Sequence, residues 1–260
     1  MIGGGRRGGV RATVLDPLGT ARMGLRLANF VTMTSAHLKA IPDGESQAAL
    51  NQRANEWASE LLPAMGVDLR LDGVEHAEEA QQNNGVLLVS NHRSYVDILA
   101  LLAATPCCFL AKDDVAEWPV LGKAAVRVGT VFVERDERDS RQAARRAMAG
   151  LLEAGHVVAV FPEGTTFRGP GCQEFRPGAF ATAARLGRPV LPVAIEYPTP
   201  GDAWQDEGIV THFNGTFRQR RMDAHVHIGP LISSDDAIDL RDSAQGWIDQ
   251  RLHKIWNDML

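Results

Sequence analysis

The chain has 260 residues, 45% hydrophobic and 23% charged, which suits one large globular domain with an appendage and excludes a disordered or fibrous protein. Its three cysteines, Cys107, Cys108 and Cys172, form neither a disulfide framework nor a metal-ligand spacing, so no metal site is expected and a reducing compartment fits. The net charge of −5 is unevenly spread: residues 1–41 carry Arg6, Arg7, Arg11, Arg22, Arg26 and Lys39 against Asp16 alone, and the rest is acidic.

A basic arm on an acidic body points to an anionic partner for the arm. The acidic remainder and an aromatic content of 6% argue against nucleic acid, and an anionic membrane surface fits better. The longest apolar stretch, from Ile98 to Ala111, contains Pro106 and is too short to span a bilayer, and the N-terminus lacks a continuous signal-peptide core. The expected location is the cytoplasm, in peripheral association with the cytoplasmic membrane.

From the N-terminus, residues 1–9 are rich in glycine and arginine and read as disordered. Helical spacing runs from about Leu18 to Lys39, with Met23, Leu27, Phe30, Val31 and Leu38 as apolar positions and Arg22 and Arg26 on the other side. After Pro42-Asp43-Gly44 a second helix is predicted over 47–65, presenting Leu50, Trp57, Leu61 and Leu62. Residues 1–66 are therefore expected to form a basic tail and a two-helix, membrane-associating hairpin ahead of an α/β domain at 67–260.

In that domain strands alternate with helices, the signature of a mainly parallel central sheet flanked by helices. Strands are predicted at 67–72, 85–90, 107–111, 130–134, 156–161, 189–196 and 222–228. Helices are predicted at 95–104, 119–127, 138–154, 178–187 and 240–258, with an irregular loop over 198–221.

The chemistry concentrates where predicted strands end. The apolar run Val86 to Val89 breaks at Ser90-Asn91-His92-Arg93, and a helical run starts near Ile98. His92 and Asp97 meet only if the histidine precedes the helix and the aspartate lies in its first turn, an arrangement that Ser94 as N-cap permits. A neutral imidazole, with an ordinary pKa of about 6.5, takes a proton from an alcohol, and a carboxylate on its other nitrogen fixes the tautomer. No Gly-x-Ser-x-Gly elbow occurs, so the hydroxyl to be activated belongs to a substrate. As a competing reading, Ser94-x-x-Asp97 is an ordinary capping box.

A second polar turn, Pro162-Glu163-Gly164-Thr165-Thr166-Phe167, leaves the strand ending at Phe161, where Glu163 and Thr165 can bond a polyol or phosphate. Arg135 follows the strand over 130–134, and Lys112 follows the one ending at Ala111; both are candidate phosphate cations.

Together, Asn91-His92-x4-Asp97, Gly129-x-x-Phe132-x-x-Arg135, Phe161-Pro162-Glu163-Gly164-Thr165 and Leu191-Pro192-Val193 resemble the four ordered blocks of the glycerolipid acyltransferases, and among them the 1-acylglycerol-3-phosphate O-acyltransferases. The resemblance covers roughly residues 67–196. It implies His92 as general base, Asp97 as its orienting carboxylate, and acyl-CoA or acyl-carrier protein as the donor co-substrate, with no metal or organic cofactor. It also implies a lysophospholipid acceptor, held through Asn91, Ser94, Lys112, Arg135, Glu163, Gly164 and Thr165. Two departures bear on the acceptor: Thr166-Phe167 stands where many relatives have serine or arginine, and Arg176-Pro177-Gly178 replaces Lys-Lys-Gly or Lys-Pro-Gly. A lyso-ornithine lipid acceptor, a thioesterase and a non-catalytic lipid-binding protein are the alternative readings.

Overall fold

A computed structural model describes residues 16–112, 122, 127, 130–133, 138–199, 202–204 and 209–259. Two helices come first, α1 (Pro17–Lys39) and α2 (Gln47–Ala64), followed by strand β1 (Val67–Asp72) and helix α3 (Val74–Gln82). The chain then forms β2 (Val86–Ser90), α4 (Val96–Ala104), β3 (Cys108–Lys112), β4 (Val131–Val133) and a helix at Arg138–Glu153. It continues with β5 (Val157–Val160), a helix at Gly178–Arg185, β6 (Val190–Glu196), a helix at Ile209–Arg218, β7 (Met222–Ile228) and a final helix at Ala237–Met259.

The strands form one seven-stranded sheet in the order β1-β7-β6-β2-β5-β3-β4. All neighbours are parallel except β6 and β7, which run antiparallel. This is the predicted mainly parallel, helix-flanked α/β fold. The central strand β2 is an unbroken apolar run because both of its faces are covered. Val86 and Leu88 join the core under α2 and α4, while Leu87 and Val89 join the core under the helices Arg138–Glu153, Gly178–Arg185 and Ala237–Met259. All four are fully buried, each worth about 1.5–3 kcal/mol of apolar transfer. Strand β7, nearer the sheet edge, alternates buried and half-buried residues.

Pro192 lies within β6 without cost to the ladder. It sits opposite Val89 of β2, and its carbonyl accepts from Gly229 N at 2.8 Å just beyond β7, so the side that lacks an N–H faces the end of that strand.

Four local expectations are corrected. Residues 198–221 are not wholly irregular, since they contain the helix Ile209–Arg218. Helix α3 has no counterpart among the predicted elements; its sequence buries only Ala77 and Ala80, too narrow a stripe to read as periodicity. Helix α4 begins at Val96, one residue later than predicted, with Tyr95 ahead of it already helical in φ and ψ and Ser94 Oγ accepting from Val96 N. The fourth correction concerns α1, where the two arginines do not form an outward polar face. Arg26 is buried and donates to Phe217 O, Gln219 O and Arg220 O at 2.8–3.0 Å, and Arg22 Nε donates to Arg218 O. These cations satisfy carbonyls at the C-terminus of the helix Ile209–Arg218, where positive charge is favourable. The outward side of α1 instead carries Leu18, Leu25, Leu27 and Val31, all exposed. The predicted helix at 119–127 lies outside the described residues, apart from positions 122 and 127.

Candidate active site

Three neighbouring strands, β6, β2 and β5, run parallel and end on one edge of the sheet. Open α/β sheets gather ligands along that edge. The turn after β2 holds His92, the turn after β5 holds Glu163, and β6 ends in Glu196 followed by Tyr197.

His92 Nδ1 lies 2.7 Å from Asp97 Oδ2, with the imidazole 18% exposed and the carboxylate fully buried. Facing an ionised carboxylate, Nδ1 carries the proton of a neutral ring, which leaves Nε2 with its lone pair available as an acceptor. The ring stacks on Phe161, with centroids 4.0 Å apart and planes 13° from parallel. Asp97 Oδ2 also accepts from the backbone N–H groups of Arg93 at 2.6 Å and Ser94 at 2.8 Å, folding the turn around the carboxylate. Ser94 Oγ accepts from Val96 N at 3.4 Å while Asp97 reaches back from the first turn to Ser94 N, the two halves of a capping box.

The remaining predicted site residues divide into scaffold and surface. Asn91 is fully buried; its amide donates to Ile195 O and accepts from Ile195 N, both at 2.8 Å, tying β2 to β6. Ser94 is also fully buried, with Oγ 3.5 Å from His212 Nε2. Both side chains are bonded within the scaffold. Glu163 is buried, and its two oxygens accept from His92 N at 2.7 Å and Gln173 N at 2.8 Å. Burial raises its carboxyl above the ordinary range, opposed by those two N–H bonds and by the charges of Arg93 and His92. Gly164 sits at φ +75°, and its bare α-carbon lies beneath the Arg176 guanidinium, 2.6 Å from where a Cβ would stand. Thr165 and Arg176 are exposed beside this turn. Lys112 is the last residue of β3, and Arg135 lies outside the described residues.

Three residues of this site were not singled out from sequence. Arg93 is buried at 1% exposure, and its Nη2 lies 2.9 Å from Glu196 Oε2. It also donates to Phe167 O, Gly169 O and Gly171 O, fastening the loop after Glu163 to the base of the turn. Glu196 further accepts from Trp256 Nε1 at 2.8 Å. The Tyr197 hydroxyl donates to Asp97 Oδ1 at 2.5 Å. The only sequence signal for these was position, since Glu196 and Tyr197 follow an apolar strand that ends on the same sheet edge. Among the described residues no group of three or more His, Cys, Asp or Glu side chains could hold a metal ion.

Fold and site define an α/β protein that presents a carboxylate-oriented imidazole at the C-terminal edge of a parallel sheet. The family model described as Acyltransferase matches residues 73–196, which span the turns after β2 and β5 and end with β6. A lyso-ornithine lipid O-acyltransferase from Pseudomonas aeruginosa is 33% identical over 237 residues, covering 88% of this chain and 87% of that one. A 1-acyl-sn-glycerol-3-phosphate acyltransferase from Neisseria meningitidis is 36% identical over 173 residues, and the match spans 66% of each chain. The crystal structure of the 1-acyl-sn-glycerophosphate acyltransferase of Thermotoga maritima shares the fold, with a TM-score of 0.66 at 18% identity over 92% of this chain and 95% of that one. The chain belongs to the acyltransferase family, and the relatives named here are acyltransferases of lyso-lipids.

Proposed function

We propose that this protein transfers a fatty acyl group from a thioester, acyl-CoA or acyl-carrier protein, to the free hydroxyl of a lyso-lipid, with 1-acylglycerol-3-phosphate as acceptor and phosphatidic acid as product. The observation that carries this reading is the 2.7 Å contact of His92 Nδ1 with the buried Asp97 carboxylate, which leaves the partly exposed ring free to act through Nε2. Nε2 takes the proton from the acceptor hydroxyl as its oxygen attacks the thioester carbonyl. The tetrahedral oxyanion collapses, the C–S bond breaks, and the departing thiolate takes the proton from the imidazolium. Asp97 stays ionised throughout and stabilises the cation. The chemistry needs no metal or organic cofactor.

The acceptor head group lies along the outer side of the Glu163-Gly164-Thr165 turn, with Thr165 as its hydrogen-bonding group. Lys112 and Arg135 supply positive charge to a phosphate. Arg176, exposed over Gly164, adds positive charge at the turn itself. A second acceptor, lyso-ornithine lipid, is favoured by the greater reach of the Pseudomonas match, 88% of the chain against 66% for the Neisseria match. Purified protein with liposomes and palmitoyl-CoA, assayed on lysophosphatidate and on lyso-ornithine lipid, separates the two. Thiol release that depends on lysophosphatidate supports the first reading, and release with lyso-ornithine lipid alone replaces it with the second. Acceptor-independent release would indicate a thioesterase.

The N-terminal element, residues 1–66, seats the enzyme at the cytoplasmic face of an anionic membrane. No helix among the described residues is long and apolar enough to cross one. The outward side of α1 exposes Leu18 at 71% and Leu25 at 64%, a surface suited to the interfacial layer. Leu18→Ser with Leu25→Ser is expected to lower flotation with anionic vesicles several-fold at unchanged thermal stability. Unchanged flotation would remove this role from α1.

A further inference from the structure

Asp97 is held from two sides, and only one of them was visible in the His-x4-Asp spacing. Its Oδ2 accepts from His92 Nδ1, Arg93 N and Ser94 N, all within its own turn. Among the described residues its Oδ1 accepts from Tyr197 alone, a hundred residues away in sequence and 2% exposed. The preceding residue, Glu196, grips the same turn through Arg93 Nε and Nη2, and it also accepts from Tyr197 N at 3.0 Å. The dipeptide at the end of β6 thus holds both the arginine that follows His92 and the aspartate bonded to its ring.

We infer that Tyr197 is a positioning residue for acyl transfer: its hydroxyl clamps Asp97 Oδ1, so that Oδ2 remains presented to His92 Nδ1 through the reaction cycle. The inference rests on the reading of His92 as the base. Rotation of a carboxylate about its last bond is soft and turns both oxygens together, so a donor on Oδ1 opposes the same rotation that would carry Oδ2 away from His92. A donor on each oxygen removes that freedom. The donor has to stay protonated, and it does: burial, followed by the neighbouring Asp97 charge, holds the Tyr197 hydroxyl well above the ordinary phenol range.

The hydroxyl also draws negative charge away from the side of the carboxylate that faces the imidazole. The other charged groups around the pair are committed elsewhere. Arg93, in the turn itself, is paired with Glu196 of β6, and Glu163, after β5, bonds the backbone of His92 and Gln173. His212, from the helix Ile209–Arg218, approaches through Ser94 Oγ. Loss of the Tyr197 hydroxyl would therefore concentrate charge on Oδ2, strengthen its hold on the imidazolium, and make proton delivery to the leaving thiolate harder.

Tyr197→Phe tests this. Its kcat is expected to fall roughly tenfold or more, the scale of one hydrogen bond to a charged group, with KM for palmitoyl-CoA and for the acceptor within about twofold of wild type. The acid limb of the kcat/KM profile is expected to move to higher pH by about half a unit. A superimposable profile with unchanged kcat would overturn the inference. So would a lowered kcat and melting temperature with an unmoved acid limb, which would make the tyrosine structural only.

A second measurement needs no folding-sensitive truncation. The chain has two tyrosines, Tyr95 and Tyr197, so 3-fluorotyrosine incorporated in a Tyr95→Phe background alters Tyr197 alone. The more acidic hydroxyl is a stronger donor, and the acid limb is expected to move to lower pH than in the same background with ordinary tyrosine. An unmoved limb would contradict the clamp. His92→Ala is assayed alongside. Full activity there would fail the base reading itself, whereas an inactive His92→Ala with an unaffected Tyr197→Phe would fail only the present inference.

Discussion

The turn after β2 and the turn after β5 look alike in sequence, each a short polar segment closing an apolar strand, yet the structure uses them differently. In the first, buried Asn91, Arg93, Ser94 and Asp97 surround one side chain, His92, that keeps a face toward solvent. In the second, the most prominent candidate, Glu163, has both oxygens on backbone N–H groups, one of them that of His92 itself. What remains outward there is Thr165, with Arg176 over Gly164. The second turn is thus partly a buttress for the first. A polar residue in a motif of this kind is as often the support of the chemistry as its agent, and hydrogen-bond partners tell the two apart.

Substitutions that break this division should differ in kind as well as in size. The largest expected loss of stability comes from Arg93→Met. Removing one partner of a buried ion pair leaves the Glu196 carboxylate uncompensated and releases three carbonyls of the 167–171 loop, at a cost of about 3–5 kcal/mol in chemical denaturation. A loss under about 1 kcal/mol would mean that Arg93 is not the fastening described here.

Glu163→Gln is expected to cost less, about 1–3 kcal/mol, because one of two N–H groups then meets an amide NH2 instead of an acceptor. Its pH dependence has a defined sign. The folded-state carboxyl is raised above its ordinary value of 4.5 by burial, so the folded protein binds that proton more tightly than the unfolded chain does. The contribution of this group is complete below 4.5 and is lost as pH rises through the raised value. The stability gap between wild type and Glu163→Gln should narrow over that interval; a gap that widens there would reverse the assignment. Gly164→Ala is the mildest of the three. It forces an alanine to φ +75° and pushes Arg176 aside, for about 1–2 kcal/mol and a raised KM for an anionic acceptor. An unchanged KM would leave Arg176 without a part in binding.

Much of the frame was legible in sequence because its signals are local. The apolar run of β2 and the switch to helical spacing after Asp97 each depend on a few neighbouring residues. Sequence could not show that Arg26, seemingly on a polar helix face, is buried against the carbonyls Phe217 O, Gln219 O and Arg220 O, since those partners lie about 190 residues away. For the same reason Asn91 read as a ligand contact, while its amide bonds Ile195 of β6. The His92–Asp97 contact was foreseen because it closes within one turn. The Tyr197–Asp97 contact was not, because only the parallel pairing of β6 with β2 brings the ends of those strands together.

The central claim is that His92 is the group that activates the acceptor hydroxyl, and the most direct test is thiol release from palmitoyl-CoA by wild type and His92→Ala, at saturating acceptor, with matched melting temperatures. The account predicts a loss of about 10²–10⁴-fold in kcat, with stability nearly unchanged because the ring is partly exposed and replaces no core contact other than its stacking on Phe161. Acceptor-dependent release by a folded His92→Ala protein at the wild-type rate would contradict it.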